Sequence, residues 1–400
     1  MSTVAQPQER CLQMTNRELH GYKNIPVSDT HIHIVFPKHP DATVDILRKF
    51  RDHFDYDSVT LQILTRCTGH RDCDPSNTMK GLYCKDILNS ERKNSTYVYG
   101  SIFHFLDDRD TALGYLKQVK TMYEMGVDGY KFLDGKPAIR KMIGKPLSDT
   151  IFDKMYAFIE ERGMPIKMHL ADPAKYWGPK ETMTPTAIAR GWWCGEGTFP
   201  ERDEFYEEVY AILRKFPKLK FCLAHLGYMS YDEAVAFLEN FENTSFDLTP
   251  GASWCKNATE EAEKWKQFFA KYADRIYFGT DTYNKLEGED NDRGYEASAS
   301  RFNLVRKMLE GDSRDIIEYG NGLGDFVPLG LDDTILERIY YKNQRELLGE
   351  AREVRGDAYI TRAKEMLDEY KRGEYSMLPS DEVADEIAHL EHMISHFSKK

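Results

Sequence analysis

This sequence predicts an α/β fold, a closed (β/α)8 TIM barrel with a C-terminal helical extension, and three observations lead there. Short apolar runs alternate with segments of helical periodicity, and the alternation repeats eight times along the chain. Several of the runs are continuously apolar, as parallel strands covered on both faces must be. The first run ends in Asp29-Thr30-His31-Ile32-His33 rather than in a glycine-rich phosphate loop, which sets aside an open doubly wound sheet.

In chain order, the predicted strands are Ile25–Ile34, Ser58–Leu64, Tyr97–Phe105, Gly129–Leu133, Pro165–Leu170, Lys220–His225, Thr244–Leu248 and Ile276–Thr280. The helices expected between them include Thr111–Met125, Asp149–Arg162, Phe205–Phe216, Tyr231–Phe241 and Thr259–Tyr272, each with apolar residues three or four apart. Gly126 and Gly163 stand where helix ends call for a left-handed residue. A barrel takes about 250 residues. The surplus falls in loops and ends, so the expected organisation is an N-terminal extension (1–24), the barrel (25–349) and a helical extension (350–400). Two amphipathic helices, about Asp357–Arg372 and Ser380–Phe397 with Ser380 as N-cap, make up that extension. It reads equally as an appendage packed on the barrel and as a contact between subunits of a homo-oligomer.

Composition narrows the function. Of 400 residues, 41% are hydrophobic and 30% charged, an ordinary globular balance. The net charge of −12 opposes nucleic-acid and anionic-membrane partners, and no basic stripe offsets it. No apolar run reaches the ~18 residues of a membrane helix. The first ten residues lack the apolar core of a secretory signal, and the seven cysteines are odd in number with no C-x-x-C pair. A cytoplasmic protein without a disulfide framework is expected.

The chemistry gathers at strand ends. His31 and His33, at i and i+2, share one face of the first strand. His169 and His225 end the fifth and sixth strands, and Asp281 ends the eighth. In a barrel all five would meet at the carboxyl-end mouth, where active sites sit. Single strand-end histidines are commonly structural, but two imidazoles closing one apolar strand would be costly to bury unpaired. Together these nitrogen and oxygen donors suit a borderline metal such as zinc.

Asp29-Thr30-His31-Ile32-His33, His169 followed by Ala171-Asp172-Pro173, Ala224-His225-Leu226-Gly227 and Gly279-Thr280-Asp281 resemble the amidohydrolase superfamily. The nearer likeness is to its amidohydrolase-2 branch of metal-dependent hydrolases and aminocarboxymuconate-semialdehyde-type decarboxylases. It runs from about Ile25 to Gly349 and includes Tyr340-Tyr341-Lys342-Asn343. The resemblance implies one divalent ion, zinc first and manganese or another transition metal second, on His31, His33, His169 and Asp281. It also implies His225 as polariser or proton carrier. Asp281 could both ligate and move a proton. Lys131, where other superfamily members carry a carboxylated lysine bridging two metals, reads instead as a structural or substrate-facing residue.

Substrate contacts are expected from the loops. Arg66 follows the second strand and could clamp a carboxylate. Trp177 and Trp193 lie in the aromatic segment 171–200, which either lines a pocket or folds onto the rim. His70, Arg71 and the acidic run Glu287–Asp292 stand in similar loops. The expected substrate is a small organic anion, and the first reading is an enzyme that hydrolyses a lactone, amide or ester with metal-activated water. Non-oxidative decarboxylation of an aromatic or unsaturated acid would use the same ligands. A barrel retained for binding after losing catalysis is the alternative of another class, opposed by the complete ligand set.

Overall fold

The computed structural model describes residues 15–34, 39–65, 74–249, 252–283, 295–318 and 325–400. Its main strands are β1 (Val27–His33), β2 (Tyr56–Gln62), β3 (Thr96–Gly100), β4 (Gly129–Gly135), β5 (Pro165–Leu170), β6 (Lys220–Leu223), β7 (Thr244–Asp247), β8 (Ile276–Tyr277) and β9 (Thr282–Tyr283). The chain forms two compact units. One holds the described residues up to Leu61, Cys84–Tyr97 and Leu248–Ala351; the other holds Gln62–Tyr83, Val98–Asp247 and Arg352–Lys400.

In the first unit β1 pairs in parallel with β2 (Asp29 opposite Val59) and with β9 (Ile32 opposite Thr282, His33 opposite Tyr283). Every residue of β1 is buried although five of the seven are polar. Such groups persist in a core only when hydrogen-bonded. Thr30 spends both its N–H and its hydroxyl on the Phe278 carbonyl, at 3.0 and 2.8 Å, which lays the stretch after β8 alongside β1. The helix Pro40–Phe54 turns Val44, Leu47, Phe50 and Phe54 inward, and Phe54 meets Phe302 of the helix Tyr295–Glu310 at 4.9 Å between ring centres. Each such buried aromatic contributes about 2–3 kcal/mol. The stretch noted at Tyr340–Asn343 has a structural task. It includes a π-turn (Arg338–Lys342), and Asn343 then donates its amide to the Ala273 and Ile276 carbonyls at 2.6 and 2.8 Å.

In the second unit β4, β5, β6 and β7 form consecutive parallel pairs, with Lys131, Lys167, Cys222 and Ser245 at one level across them. The helices Ala112–Met125, Asp153–Glu161, Arg202–Lys215 and Tyr231–Asn240 alternate with the strands. Gly126 ends the first of these with φ +102°, and a Cβ there would lie 2.1 Å from the Glu353 carbonyl oxygen. Only glycine satisfies both conditions. The two C-terminal helices, Gly356–Lys371 and Ser380–Phe397, pack on each other through Tyr359 and Phe397, 4.2 Å between ring centres. They are also tied into their own unit by charge. Glu386, wholly buried, accepts from Lys80 Nζ at 2.5 Å and from the Ser76 hydroxyl.

Several boundaries differ from expectation. β3 stops at Gly100 because the next backbone groups bond side chains instead of a strand: Ser101 N–H donates to Thr78 Oγ1, and Phe103 N–H to Gln118 Oε1 at 2.7 Å. His104 beyond it is buried between Asp134 (2.7 Å) and the Tyr115 hydroxyl (3.0 Å). The helix expected over Thr259–Tyr272 is two, Ala252–Glu260 and Ala262–Tyr272, broken at Glu261. Pro379 rather than Ser380 caps the last helix: its fixed φ suits the extended cap conformation, and its carbonyl accepts from Val383 N–H at 3.0 Å. Among the described residues no helix is long and apolar enough to cross a membrane. Of the cysteines described, Cys84, Cys194, Cys222 and Cys255 are buried and joined in no disulfide among the described residues.

Candidate metal centre

His31, His33 and Asp281 come together in the first unit. Their ligand atoms lie within 4.8 Å of one another. His31 Nε2 and His33 Nε2 face each other at 3.1 Å, and Asp281 Oδ1 stands 3.0 Å from the second and 3.7 Å from the first. Strand pleating explains the histidine pair, since alternate residues share a face. Asp281 arrives by another route. It adopts a left-handed backbone (φ +55°), and its N–H donates to the His31 carbonyl at 2.9 Å. Burial pushes its carboxyl up, but the hydrogen bond from His33 and the charges of His31, His33 and Arg301 hold it well below the usual carboxylate range. Two imidazoles and a carboxylate this close, with both rings buried, fit a divalent metal with room for further ligands.

Asp29 fixes the frame behind these ligands. Its carboxylate is fully buried and accepts four bonds: from His31 N–H (3.0 Å), Thr280 N–H (3.2 Å), the Thr280 hydroxyl (2.6 Å) and the Tyr56 hydroxyl (2.9 Å). One side chain thereby joins the backbone carrying His31 to the residue before Asp281. Burial raises its pKa to about 6, against the lowering effect of those donors. Arg301 completes the surroundings, donating to the Asp281 carbonyl with its guanidinium 3.7 Å from the carboxylate.

His169 and His225 meet in the second unit, with His225 Nε2 3.1 Å from His169 Nδ1. His169 Nε2 faces Asp172 Oδ1 at 3.1 Å, and Lys136 Nζ lies 3.2 Å from the same carboxylate. Both ring nitrogens of His169 therefore have protein partners, and metal ligation through this ring would exchange one of them. Burial, then the Lys136 charge, lower the pKa of His169. His225 sits just past β6 in a left-handed turn: His225, Leu226, Gly227 and Tyr228 have φ of 59°, 51°, 62° and 51°. Three non-glycine residues there cost about 1 kcal/mol or more each, and such strain collects at functional sites. Asp247 holds the turn, accepting from His225 N–H at 2.9 Å while its other oxygen pairs with Lys167 Nζ at 2.8 Å. β6 is shorter than expected because this turn takes over at Ala224.

Of the residues expected to touch substrate, Lys131 is buried on β4 at the level of Lys167. Trp177 donates its indole N–H to the Pro200 carbonyl and Trp193 to that of Gly178, both at 3.0 Å, so these rings fold the segment 171–200 on itself. Arg66, His70, Arg71, Cys67, Cys73, Cys11 and Glu287–Asp292 lie outside the described residues. Arg301, Lys136, Asp247 and Lys167 belong to none of the sequence motifs. Nothing local marks them, because their roles depend on partners distant in sequence. Asp29 and Asp172 stood within the quoted motifs, and a carboxylate inside an apolar strand end was the available signal.

The amidohydrolase family model matches residues 100–349. The chain belongs to the amidohydrolase family. Solved structures to which the chain is similar include a putative amidohydrolase from Staphylococcus aureus, with 14% identity and a TM-score of 0.49 over 81% of this chain and 100% of that one. An uncharacterized TIM-barrel protein from Bordetella bronchiseptica gives 13% and 0.47 over 81% and 98%. A 2,6-dihydroxybenzoate decarboxylase from Rhizobium gives 12% and 0.46 over the same shares. No curated protein matches this amidohydrolase in sequence.

Proposed function

We propose that this amidohydrolase-family chain is a metal-dependent hydrolase of a small organic anion, a lactone, amide or ester. The observation that carries the reading is the His31–His33–Asp281 cluster, which offers two imidazole nitrogens and one carboxylate oxygen within 4.8 Å of one another. A divalent ion held there, zinc in this reading, would polarise a substrate carbonyl and lower the pKa of water. The family resemblance adds His169 as a further ligand and the (β/α)8 barrel over 25–349 as the scaffold. A cytoplasmic homo-oligomer completes the reading.

The remaining work falls to the protein's own groups. Asp281, ionised at neutral pH by its neighbours, is the proton acceptor, and Arg301 keeps its carboxylate from swinging away. The family resemblance gives His225 the donation to the oxygen that gains charge; within its own unit Asp247 pins its backbone and His169 steadies its ring.

His225→Asn is expected to keep the metal while turnover falls about 100- to 1000-fold, a loss typical of removing one proton donor or oxyanion partner. Metal analysis beside initial rates checks it; a metal-loaded variant of full activity would end the role given to His225. The reaction itself is tested with metal-replete protein on lactones, amides and unsaturated carboxylic acids, following proton and carbon dioxide release together. Proton release without carbon dioxide supports hydrolysis. Carbon dioxide release would replace it with the decarboxylase reading, and inertness towards all three classes would leave a binding protein.

A further inference from the structure

A cavity of about 290 Å3 opens in the second unit and shares no residue with the metal cluster or with the His169–His225 pair. It lies among the helix Ala112–Met125, the segment after β3 and the C-terminal helix Gly356–Lys371. Phe103, Met79, Met122, Met366 and Tyr375 form its apolar wall. Unbranched thioethers adapt to irregular ligands, so methionines in such a wall suit an apolar guest of variable shape. The size is near the lower end for small-molecule pockets, roughly 300–1,000 Å3.

The charges at the cavity decide what sign of ligand it accepts. Arg109 is engaged by Asp107 and Glu374, both at 2.7 Å, and Arg362 by Glu369 at 2.6 Å and Glu365 at 3.2 Å. Lys117 also lines the cavity, is exposed, and forms no ion pair among the described residues. Lys117 thus stands beside the apolar wall with its ammonium outside the ion pairs that hold the lining carboxylates Glu365, Glu369 and Glu374. Gly114 contributes to the wall where a Cβ would lie 2.1 Å from the Arg109 carbonyl oxygen, so the opening is built by the backbone there.

We propose that this cavity is a second small-molecule site that takes an amphipathic organic monoanion. Its apolar body lies against Phe103, Met79 and Met122, and its carboxylate pairs with Lys117. Octanoate is the probe and octylamine the charge-reversed control, each titrated calorimetrically into the full chain. Octanoate should bind at one site, more tightly than octylamine, and equally in the His31→Ala variant. Lys117→Glu, at an exposed position, should weaken octanoate about tenfold and reverse the preference. Met122→Trp should abolish both by filling the cavity; if that variant does not fold, Lys117→Glu decides alone. Absence of octanoate binding at millimolar concentration, equal binding of the two probes, or loss of binding in His31→Ala would overturn the proposal.

Discussion

His31→Ala should lose both bound metal and turnover while the fold survives. The ring is one of three groups whose ligand atoms lie within 4.8 Å, so its removal leaves one imidazole and one carboxylate. Disturbing only an outer partner of a metal ligand typically costs 10- to 100-fold in affinity, so deleting a ligand should cost more than about 100-fold. The frame should persist, because Asp29 holds the backbone N–H of residue 31 rather than its ring, together with Thr280 and Tyr56. Metal content, initial rates and a circular-dichroism melt read the three quantities. A variant retaining a full equivalent of metal would refute the cluster as the site. One that lost activity but kept its metal would give the ring a different task.

Glu386→Ala carries the largest expected effect on stability. Lys80 is buried against Glu386 at 2.5 Å and Asp74 at 3.4 Å, so deleting the nearer carboxylate removes the shorter of the two ion pairs of a buried ammonium. Breaking one partner of a buried pair costs about 3–5 kcal/mol, enough to lower the melting temperature by several degrees. Asp74→Asn should be milder. Burial first, and repulsion from Glu386, push the Asp74 carboxyl well above the usual carboxylate range despite Lys80, so an amide there replaces a group that burial already drives towards its neutral form. Because this pKa is raised on folding, the native state takes up a proton as pH falls. The Asp74 carboxylate therefore destabilises the fold progressively as pH rises from about 4 and fully once its raised folded pKa is passed, and the Asp74→Asn variant should lose this dependence. Melts of both variants at two pH values test the pair. A Glu386→Ala melt matching wild type would mean that the ion pair adds nothing to anchoring the C-terminal helices.

The strand–helix alternation was legible because burial on two faces leaves continuous apolar runs. Pro165–Leu170 was read to the residue and the C-terminal helices to within one residue. Boundaries were misread where side chains captured the backbone: Thr78 and Gln118 end β3, and Asp247 captures His225. The aromatic segment shows a similar limit. Trp177 and Trp193 signalled a structured loop, but their indole N–H groups bond the loop's own carbonyls, which composition does not reveal.

By itself the sequence determined which residue types end the strands. A two-residue repeat dictates that His31 and His33 share a face. Only the tertiary structure decided who answers whom. Asp281 reaches His33 from 248 positions away, and Asp29 braces Thr280 from 251 away. Lys80 finds Glu386 across 306 residues. Local periodicity encodes the face on which a side chain lies; a hydrogen bond or ion pair between distant segments exists only after packing has brought them within about 3 Å of each other.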